Sequence, residues 1–229
     1  PKKLLLDLLK VGIKEVKPKN ILPEFLRLDN NLLTIMSKKP VTYRNINNII
    51  PICIGKASVE MAQSFNKIFK CTKINICKGI IVVNEENFDK VEGFKSFKST
   101  HPLPSSKGID CAKYIINYLK KTTKSDLVLL MLSGGGSALL PFPVKSVSLR
   151  DKIRVNKLLL ESGANIDEIN AVRKHLSKIK GGNFVKYCNP SKVHSLILSD
   201  VIGDNLSSIS SGLTVADPTT FSDVQNILQ

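Results

Sequence analysis

The sequence predicts an α/β domain that is built around a mainly parallel sheet. Short apolar runs alternate along the chain with longer segments of helical periodicity, an order typical of βα units. The runs are apolar throughout instead of alternating with polar residues, which indicates strands that helices cover on both faces. One of these runs, residues 127–132, leads into three consecutive glycines, Gly134 to Gly136.

Five strands and four helices account for most of the predicted domain. The predicted strands are residues 49–54, 79–83, 97–100, 126–132 and 193–198. The predicted helices are residues 57–69, 109–119, 149–160 and 166–179. Gly181 and Gly182 are expected to end the last helix, because glycine is common just beyond a helix C-terminus.

The composition is that of a folded protein with one large domain. The 229 residues, of which 42% are hydrophobic, are enough for a substantial core. The formal charge of +15 is spread along the chain, aromatic residues make up 6%, and tryptophan is absent. Single-strand binders use aromatic stacking platforms, so we ascribe the charge to a lysine-rich composition and expect no nucleic-acid partner.

Cysteines and apolar stretches point to an intracellular protein. The five cysteines form no CxxC pair, which favours buried or idle thiols over disulfides or a zinc site. We find no apolar stretch of membrane-spanning length and no convincing signal peptide. The expected location is therefore the cytoplasm, with no membrane partner.

The glycine turn is a candidate anion site. Three glycines between Ser133 and Ser137 let the backbone bend sharply and leave several N–H groups free to point at one anion. A helix that begins near Ser137 would add its dipole to that attraction. The alternative is a tight strand-to-helix turn that binds nothing.

Polar or glycine-rich residues follow four of the predicted strands. In parallel sheets, ligands bind beyond the carboxyl ends of the strands, where such residues meet. We therefore expect one site at this edge of the sheet, formed by Gly55 and Lys56, Thr100 and His101, Ser133 to Ser137, and Ser199 and Asp200, with Asp204 close behind.

The same segments carry a family resemblance. Taken in order, they resemble the N-terminal domain of the class II glycerate 2-kinase family, whose members older labels call hydroxypyruvate reductases. The matching segments are residues 55–57, 101–104, 132–139, 168–182, 199–204 and 216–219, together with residues 14–26. The ordered set is more specific than any single motif in it.

The resemblance implies a Rossmann-like three-layer sandwich and phosphoryl transfer from ATP, with Mg²⁺, to the 2-hydroxyl of D-glycerate, which gives 2-phosphoglycerate. Similar enzymes have a smaller C-terminal domain and an active site in the cleft between the two domains. We expect residues 1–229 to be the N-terminal domain alone, because the chain begins at Pro1 and ends within a predicted helix at Gln229. The chain would then be a fragment or the product of an eroded gene. Its activity would be incomplete without the C-terminal domain, which we expect as its partner.

Three residues are candidates for catalysis. Lys56 at a strand end can neutralise a phosphate or the substrate carboxylate, and the resemblance supports a catalytic role over that of a solvated lysine. Arg173 can hold the carboxylate through a bidentate fork. Asp200 can help to bind magnesium or accept the hydroxyl proton.

The remaining candidates bind the nucleotide or the metal. Asn170 and Lys180 are predicted to share a helical face with Arg173, the alternative being a solvent-facing basic stripe. Asp204 is a second candidate metal ligand, although it can equally cap the following turn. The predicted phosphate-binding residues are Ser133, Gly134, Gly135, Gly136 and Ser137.

The chain departs from the family pattern at three positions. Members usually have a glycine at the position of Cys53, an aspartate at that of Ser105 and a proline at that of Leu213. These changes indicate relaxed constraint or simple drift, so a non-catalytic remnant that binds nucleotides or anions stays open as an alternative.

Two other classes of nucleotide site do not fit the residues. A hydride-transferring reductase is expected to carry a dinucleotide fingerprint, but Leu139 stands where its third glycine or alanine should fall. A Walker-type loop fails because Ile50 lies five residues before Gly55 and Ala57 follows Lys56. The hydroxypyruvate reductase reading is therefore disfavoured.

Overall fold

A parallel sheet of six strands forms the centre of the structure, a computed structural model that describes residues 2–30 and 32–229. Its strands are β4 (Asn48–Ile54), β5 (Asn75–Ile76), β6 (Gly79–Asn84), β7 (Phe94–Ser99), β8 (Asp126–Leu132) and β9 (Lys192–Ile197). The strand order is β7-β6-β4-β8-β9, with β5 beside the start of β4, and every pairing is parallel.

Helices follow the strands as the alternating pattern predicts. They are α1 (Lys2–Glu15), α2 (Pro18–Phe25), α3 (Ser58–Ile68), α4 (Ser106–Leu119), α5 (Gly136–Leu139), α6 (Leu149–Glu161), α7 (Ile166–His175), α8 (Phe184–Cys188) and α9 (Phe221–Ile227). Short 3₁₀ turns cover Glu85–Asn87 and Ile209–Ser211. Among these described helices, none is long and apolar enough to cross a membrane.

Helices cover both faces of the sheet. On one face α2 and α3 pack against side chains such as Ile49 and Cys53, and on the other α4 and α8 pack against Ile50 and Ile52. Every residue of β8 is buried, because its neighbours on the sheet and the helices above and below exclude water. The predicted α/β class and the three-layer sandwich are confirmed.

A small antiparallel sheet precedes the main one and is absent from the sequence prediction. Its strands β1 (Leu26–Asp29), β2 (Leu32–Ile35) and β3 (Val41–Tyr43) pair in the order β1-β2-β3. Only Leu33 and Ile35 of β2 are fully buried, on either side of a half-exposed Thr34. A run this short gives too little periodicity to separate a strand from a loop.

The predicted helix 166–179 is wrong at its C-terminal end. α7 begins at a capping box of Asn165 and Glu168 and ends at His175. Beyond it the Lys178 backbone N–H donates to the Phe142 carbonyl (2.8 Å). That contact draws the chain away from the helix axis, so Lys180 does not share a helical face with Asn170 and Arg173.

Candidate functional site

The carboxyl ends of the strands bring most of the predicted residues to one place. A Cβ atom placed ideally on Gly135 would lie 3.1 Å from His101 Cδ2 and 3.4 Å from Lys56 Cε. A Cβ on Gly134 would overlap the Asp200 carboxylate. Lys56 follows β4, His101 follows β7, the glycines follow β8 and Asp200 follows β9, so four strand ends meet as the sequence predicts.

The turn at Gly134 to Gly136 leaves backbone donors free. Gly135 has a φ of +89°, in the left-handed region that favours glycine. Among the hydrogen bonds of residues 2–30 and 32–229, none uses a backbone N–H from Gly134 to Ser137 as donor. The helix that follows, α5, has only four residues, so these N–H groups themselves, more than a helix dipole, attract an anion.

Ser133 fixes the relative position of two turns. Its side chain is buried, and its Oγ accepts the Ala57 backbone N–H (3.0 Å). The Lys56 backbone N–H donates to the Gly134 carbonyl (2.9 Å). These two bonds tie the Lys56 turn to the glycine turn, and Ser133 is part of that connection.

Asn170 is linked to the glycine turn through a chain of side chains. The Ser137 and Ser211 hydroxyls are 2.7 Å apart, and Ser211 Oγ donates to Asn170 Oδ1 (3.3 Å). Asn170 is buried, which excludes the alternative of a solvent-facing stripe at this position. The structure thus places Asn170 behind Ser137, where it orients the hydroxyl of that residue.

Ser210 is a site residue that the sequence analysis missed. Its hydroxyl lies against Gly136 and is buried without a hydrogen-bond partner in the part of the chain that the structure describes. Ser210 and Ser211 both have left-handed backbones, with φ of 52° and 55°, a conformation that costs about 1–3 kcal/mol per residue. No sequence signal marked this segment, because serine is not typical of such backbones.

Three cationic side chains, two buried lysines and a half-buried arginine, line a cavity of about 220 Å³ beside the glycine turn. Lys152, Arg173 and Lys180 share its wall with Gly135 and Ser137. Lys180 is 1% exposed and Lys152 6% exposed. Lys180 Nζ donates to the Ser210 carbonyl (3.3 Å), which joins the cavity to the segment that packs on Gly136.

Among the described residues, the side chains that line this cavity carry basic groups without acidic groups to neutralise them. In the described chain no acidic residue lines it, and none of its three cations forms an ion pair. Burial, together with a smaller effect of Arg173, lowers the pKa of Lys152 to about 8. Burial also lowers the pKa of Lys180 well below its usual range, with Lys152 and Arg173 adding to the effect. The predicted partners Arg173 and Lys180 therefore do meet, together with Lys152, which the sequence analysis passed over.

Glu86 is a third residue that the sequence analysis missed. It follows β6, and its own backbone N–H and the Asn84 side chain lower its pKa, with smaller effects from His101 and Lys56. Burial and Lys56 lower the pKa of His101, while Glu86 and Asp200 oppose that shift. Glu86 thus belongs to the same electrostatic environment. Its place just beyond the predicted strand 79–83 was the available signal.

The two aspartates beyond β9 differ in their surroundings. Asp200 is exposed beside Gly134, whereas Asp204 is exposed farther along the loop with a φ of +53°. Asn205, and not Asp204, accepts the Ser207 backbone N–H (3.0 Å), so Asp204 does not cap that turn. Among the described residues no group of three or more His, Cys, Asp or Glu side chains converges on a metal position.

A cavity larger than the one beside the glycine turn lies away from these residues. Its volume is about 720 Å³, and apolar side chains of α2 and β9 contribute to its lining. It contains neither Lys56 nor Asp200 nor any residue of the glycine turn. Size alone therefore does not mark the site, and we place it where the charged groups and free donors converge.

Comparison with known proteins finds relatives that match most of this chain. Residues 4–229 match the family model described as "Domain of unknown function (DUF4147)". A glycerate 2-kinase of Pyrococcus horikoshii is 36% identical over 218 residues, which cover 95% of this chain and 48% of that protein. A relative from Agrobacterium vitis that carries a hydroxypyruvate reductase name is 38% identical over 179 residues, or 78% of this chain and 46% of the relative.

A solved structure shares the fold. The crystal structure of glycerate kinase from Thermotoga maritima superposes with a TM-score of 0.82 at 33% identity. The match covers 99% of this chain and 51% of that chain. The chain thus spans about half the length of the relatives it matches.

Proposed function

This chain belongs to the glycerate 2-kinase family that the DUF4147 model describes, and we propose that it forms the N-terminal part of an enzyme that phosphorylates D-glycerate at the 2-hydroxyl with ATP. The product is 2-phosphoglycerate. The observation that carries the proposal is the meeting of Lys56, the glycine turn and Asp200 at the carboxyl edge of one parallel sheet. The curated relatives are about twice as long, so the second wall of the site would come from a C-terminal domain.

The glycine turn would hold the phosphate groups of ATP. Phosphoryl transfer needs donors and cations that neutralise phosphate oxygens more than it needs covalent chemistry. The N–H groups from Gly134 to Ser137, which donate to no acceptor within residues 2–30 and 32–229, supply donors. Ser133 and Asn170 act behind them, through the Ala57 N–H and the Ser211 hydroxyl respectively.

Lys56 would neutralise charge that shifts during transfer. Its side chain passes beside Gly135, so its ammonium group can reach an anion that the turn holds. No acidic side chain forms an ion pair with Lys56 in the described chain, which leaves its charge available for a ligand. A cation positioned in this way stabilises the transition state without forming a bond.

Asp200 fits a magnesium ion of the kind that kinases use. Mg²⁺ keeps several waters and takes one or two protein carboxylates together with substrate phosphates, so a large cluster of ligands is not required. Asp200 would hold the ion beside the turn, with Asp204 as a further ligand, and the ion would neutralise phosphate oxygens. Alternatively, Asp200 accepts the proton of the 2-hydroxyl.

The test is an assay on the full-length product of the gene that encodes this chain. We expect ATP, Mg²⁺ and D-glycerate to give 2-phosphoglycerate, which ³¹P NMR distinguishes from the 3-phosphate isomer. A protein that binds ATP without forming product would support the alternative of a non-catalytic remnant. Oxidation of a reduced nicotinamide cofactor with hydroxypyruvate would contradict both.

A further inference from the structure

The cavity beside the glycine turn contains cations that no part of the described chain neutralises. Lys152 Nζ donates only to the Arg173 carbonyl (3.5 Å), and Arg173 Nε donates to Asn156 Oδ1 (2.5 Å). Neither acceptor carries a charge. A buried charge without a partner is strongly unfavourable, so such groups lose their charge or bind a counter-ion.

The cations come from different elements of the fold. Lys152 lies on α6, Arg173 on α7 and Lys180 in the turn that follows α7. Each lysine is more than nine-tenths buried. Three separate elements thus direct basic side chains into one small space, and packing of their apolar neighbours alone does not require this.

The shape of the cavity limits its ligand. Its volume of about 220 Å³ is below the range of roughly 300–1,000 Å³ that is usual for pockets of drug-sized ligands. Apolar residues complete its walls, among them Leu159, Val172 and Leu176, and in the described chain no phenylalanine, tyrosine or tryptophan ring lines it. A small acid with a short carbon skeleton fits these walls, whereas a nucleoside does not.

We propose that this cavity binds the carboxylate end of a small hydroxy acid, and that Lys152 is a binding residue for that carboxylate beside Arg173. The proposal rests on the proposed function, in which Arg173 holds the acid group of D-glycerate. It adds a residue on α6 that the sequence pattern did not single out. The 2-hydroxyl would then point towards Gly135 and Ser137, which line the same cavity.

The acid–base chemistry of the cavity supports this assignment. Lys152 faces Arg173, Lys180 and His101, all of which are basic. Burial, with a smaller contribution from Arg173, lowers the pKa of Lys152 to about 8. A bound anion favours the protonated form of Lys152. Binding of the anion at a pH above the pKa of Lys152 therefore takes up a proton, and the affinity falls as the pH rises.

The experiment is isothermal titration of D-glycerate into wild type, Lys152→Met and Lys157→Met. Lys157 is the matched control, because it lies on the same helix with its side chain 75% exposed. We expect Lys152→Met to weaken binding at least about tenfold, the effect of losing a hydrogen bond to a charged group. Lys157→Met should bind as wild type does, and glycerol, which lacks the carboxylate, should not bind.

Two further measurements make the result decisive. Titration at pH 8.5 in buffers of different ionisation enthalpy should show proton uptake in wild type and less in Lys152→Met. Lys152→Gln guards against misfolding of the methionine variant and should weaken binding as well. Unchanged affinity in both folded variants overturns the proposal, as does Lys152-dependent binding of inorganic phosphate without binding of D-glycerate.

The binding test is independent of catalysis. If Lys152 determines the affinity for D-glycerate but the full-length protein forms no 2-phosphoglycerate, the cavity assignment stands and the kinase proposal fails. If the kinase is active and the Lys152 variants keep both affinity and KM, the cavity assignment fails alone.

Discussion

The Asp200 carboxylate lies directly against the backbone of Gly134, in the space that any side chain at position 134 would occupy. The glycine turn and the aspartate beyond β9 are therefore one unit, although 66 residues separate them in the sequence. The first outcome that we expect depends on this contact.

Gly134→Ala should displace Asp200 without unfolding the protein. The added methyl overlaps the carboxylate, so Asp200 must turn away from the turn. Displacing a candidate metal ligand should lower kcat about 10- to 100-fold. Steady-state assays over a range of Mg²⁺ concentrations measure the effect. Gly12→Ala is the control, because nothing lies within 4 Å of its added Cβ, and an equal loss in both variants would contradict the placement.

Gly135→Val should abolish binding of ATP. A residue with a Cβ atom is strained at this positive φ, by roughly 1–2 kcal/mol, and the Cβ would approach His101 and Lys56. Gly163→Val is a matched control, since its φ is +78° and its Cβ would meet nothing. Calorimetry should show lost affinity in the first variant alone. Retained affinity would remove the turn from the phosphate site.

Lys56→Ala should reduce turnover severely and leave the thermal stability unchanged. Lys56 is exposed, so its truncation removes little packing, whereas loss of an electrostatic contact to a transition state costs roughly 10²–10³ in kcat. Lys113→Ala on the surface of α4 is the control. Rate assays and melting curves test the pair, and equal kinetics would demote Lys56 to a surface lysine.

Lys152→Met should alter how stability depends on pH. The pKa of Lys152 is about 8 in the folded protein and lies near 10.5 in the unfolded chain, so between these values the unfolded chain binds more protons. The contribution of Lys152 to the free energy of unfolding is therefore lowest below pH 8, and it increases as the pH rises to about 10.5. The methionine variant lacks that rise.

Chemical unfolding of wild type and Lys152→Met at pH 7 and at pH 10 tests this relation. The variant should be the more stable protein at pH 7, because it buries no charge there, and the difference should shrink at pH 10. A difference that is constant with pH would show that Lys152 keeps its ordinary pKa.

Much of the fold follows from local sequence pattern. β4, β6 and β8 are buried on both faces, so their residues are uniformly apolar and the strands could be predicted to within one residue. β7 was predicted too short, because Phe94 and Lys95 begin a strand with mixed burial at the edge of the sheet. The predicted C-terminal end of α7 is wrong because the hydrogen bond between Lys178 and Phe142 is a long-range contact, which helical periodicity does not record.

The site could be predicted where residues follow strands and not elsewhere. Lys56, the glycine turn and Asp200 each begin two residues after the end of an apolar run. Lys152 and Ser210 have no such marker. α6 carries two lysines and two arginines, and the sequence around Ser210 is that of an ordinary loop. Only the packing of α6 on α7 determines which lysine of α6 is enclosed.

β9 is an edge strand of the main sheet. Within residues 2–30 and 32–229, its backbone pairs with β8, and no backbone group bonds to its other edge, beside the large apolar cavity. Open edges of this kind recruit further strands from neighbouring molecules. The isolated chain should thus self-associate at high concentration. Light scattering of the wild type should rise with concentration, and it should be lower for Val193→Lys.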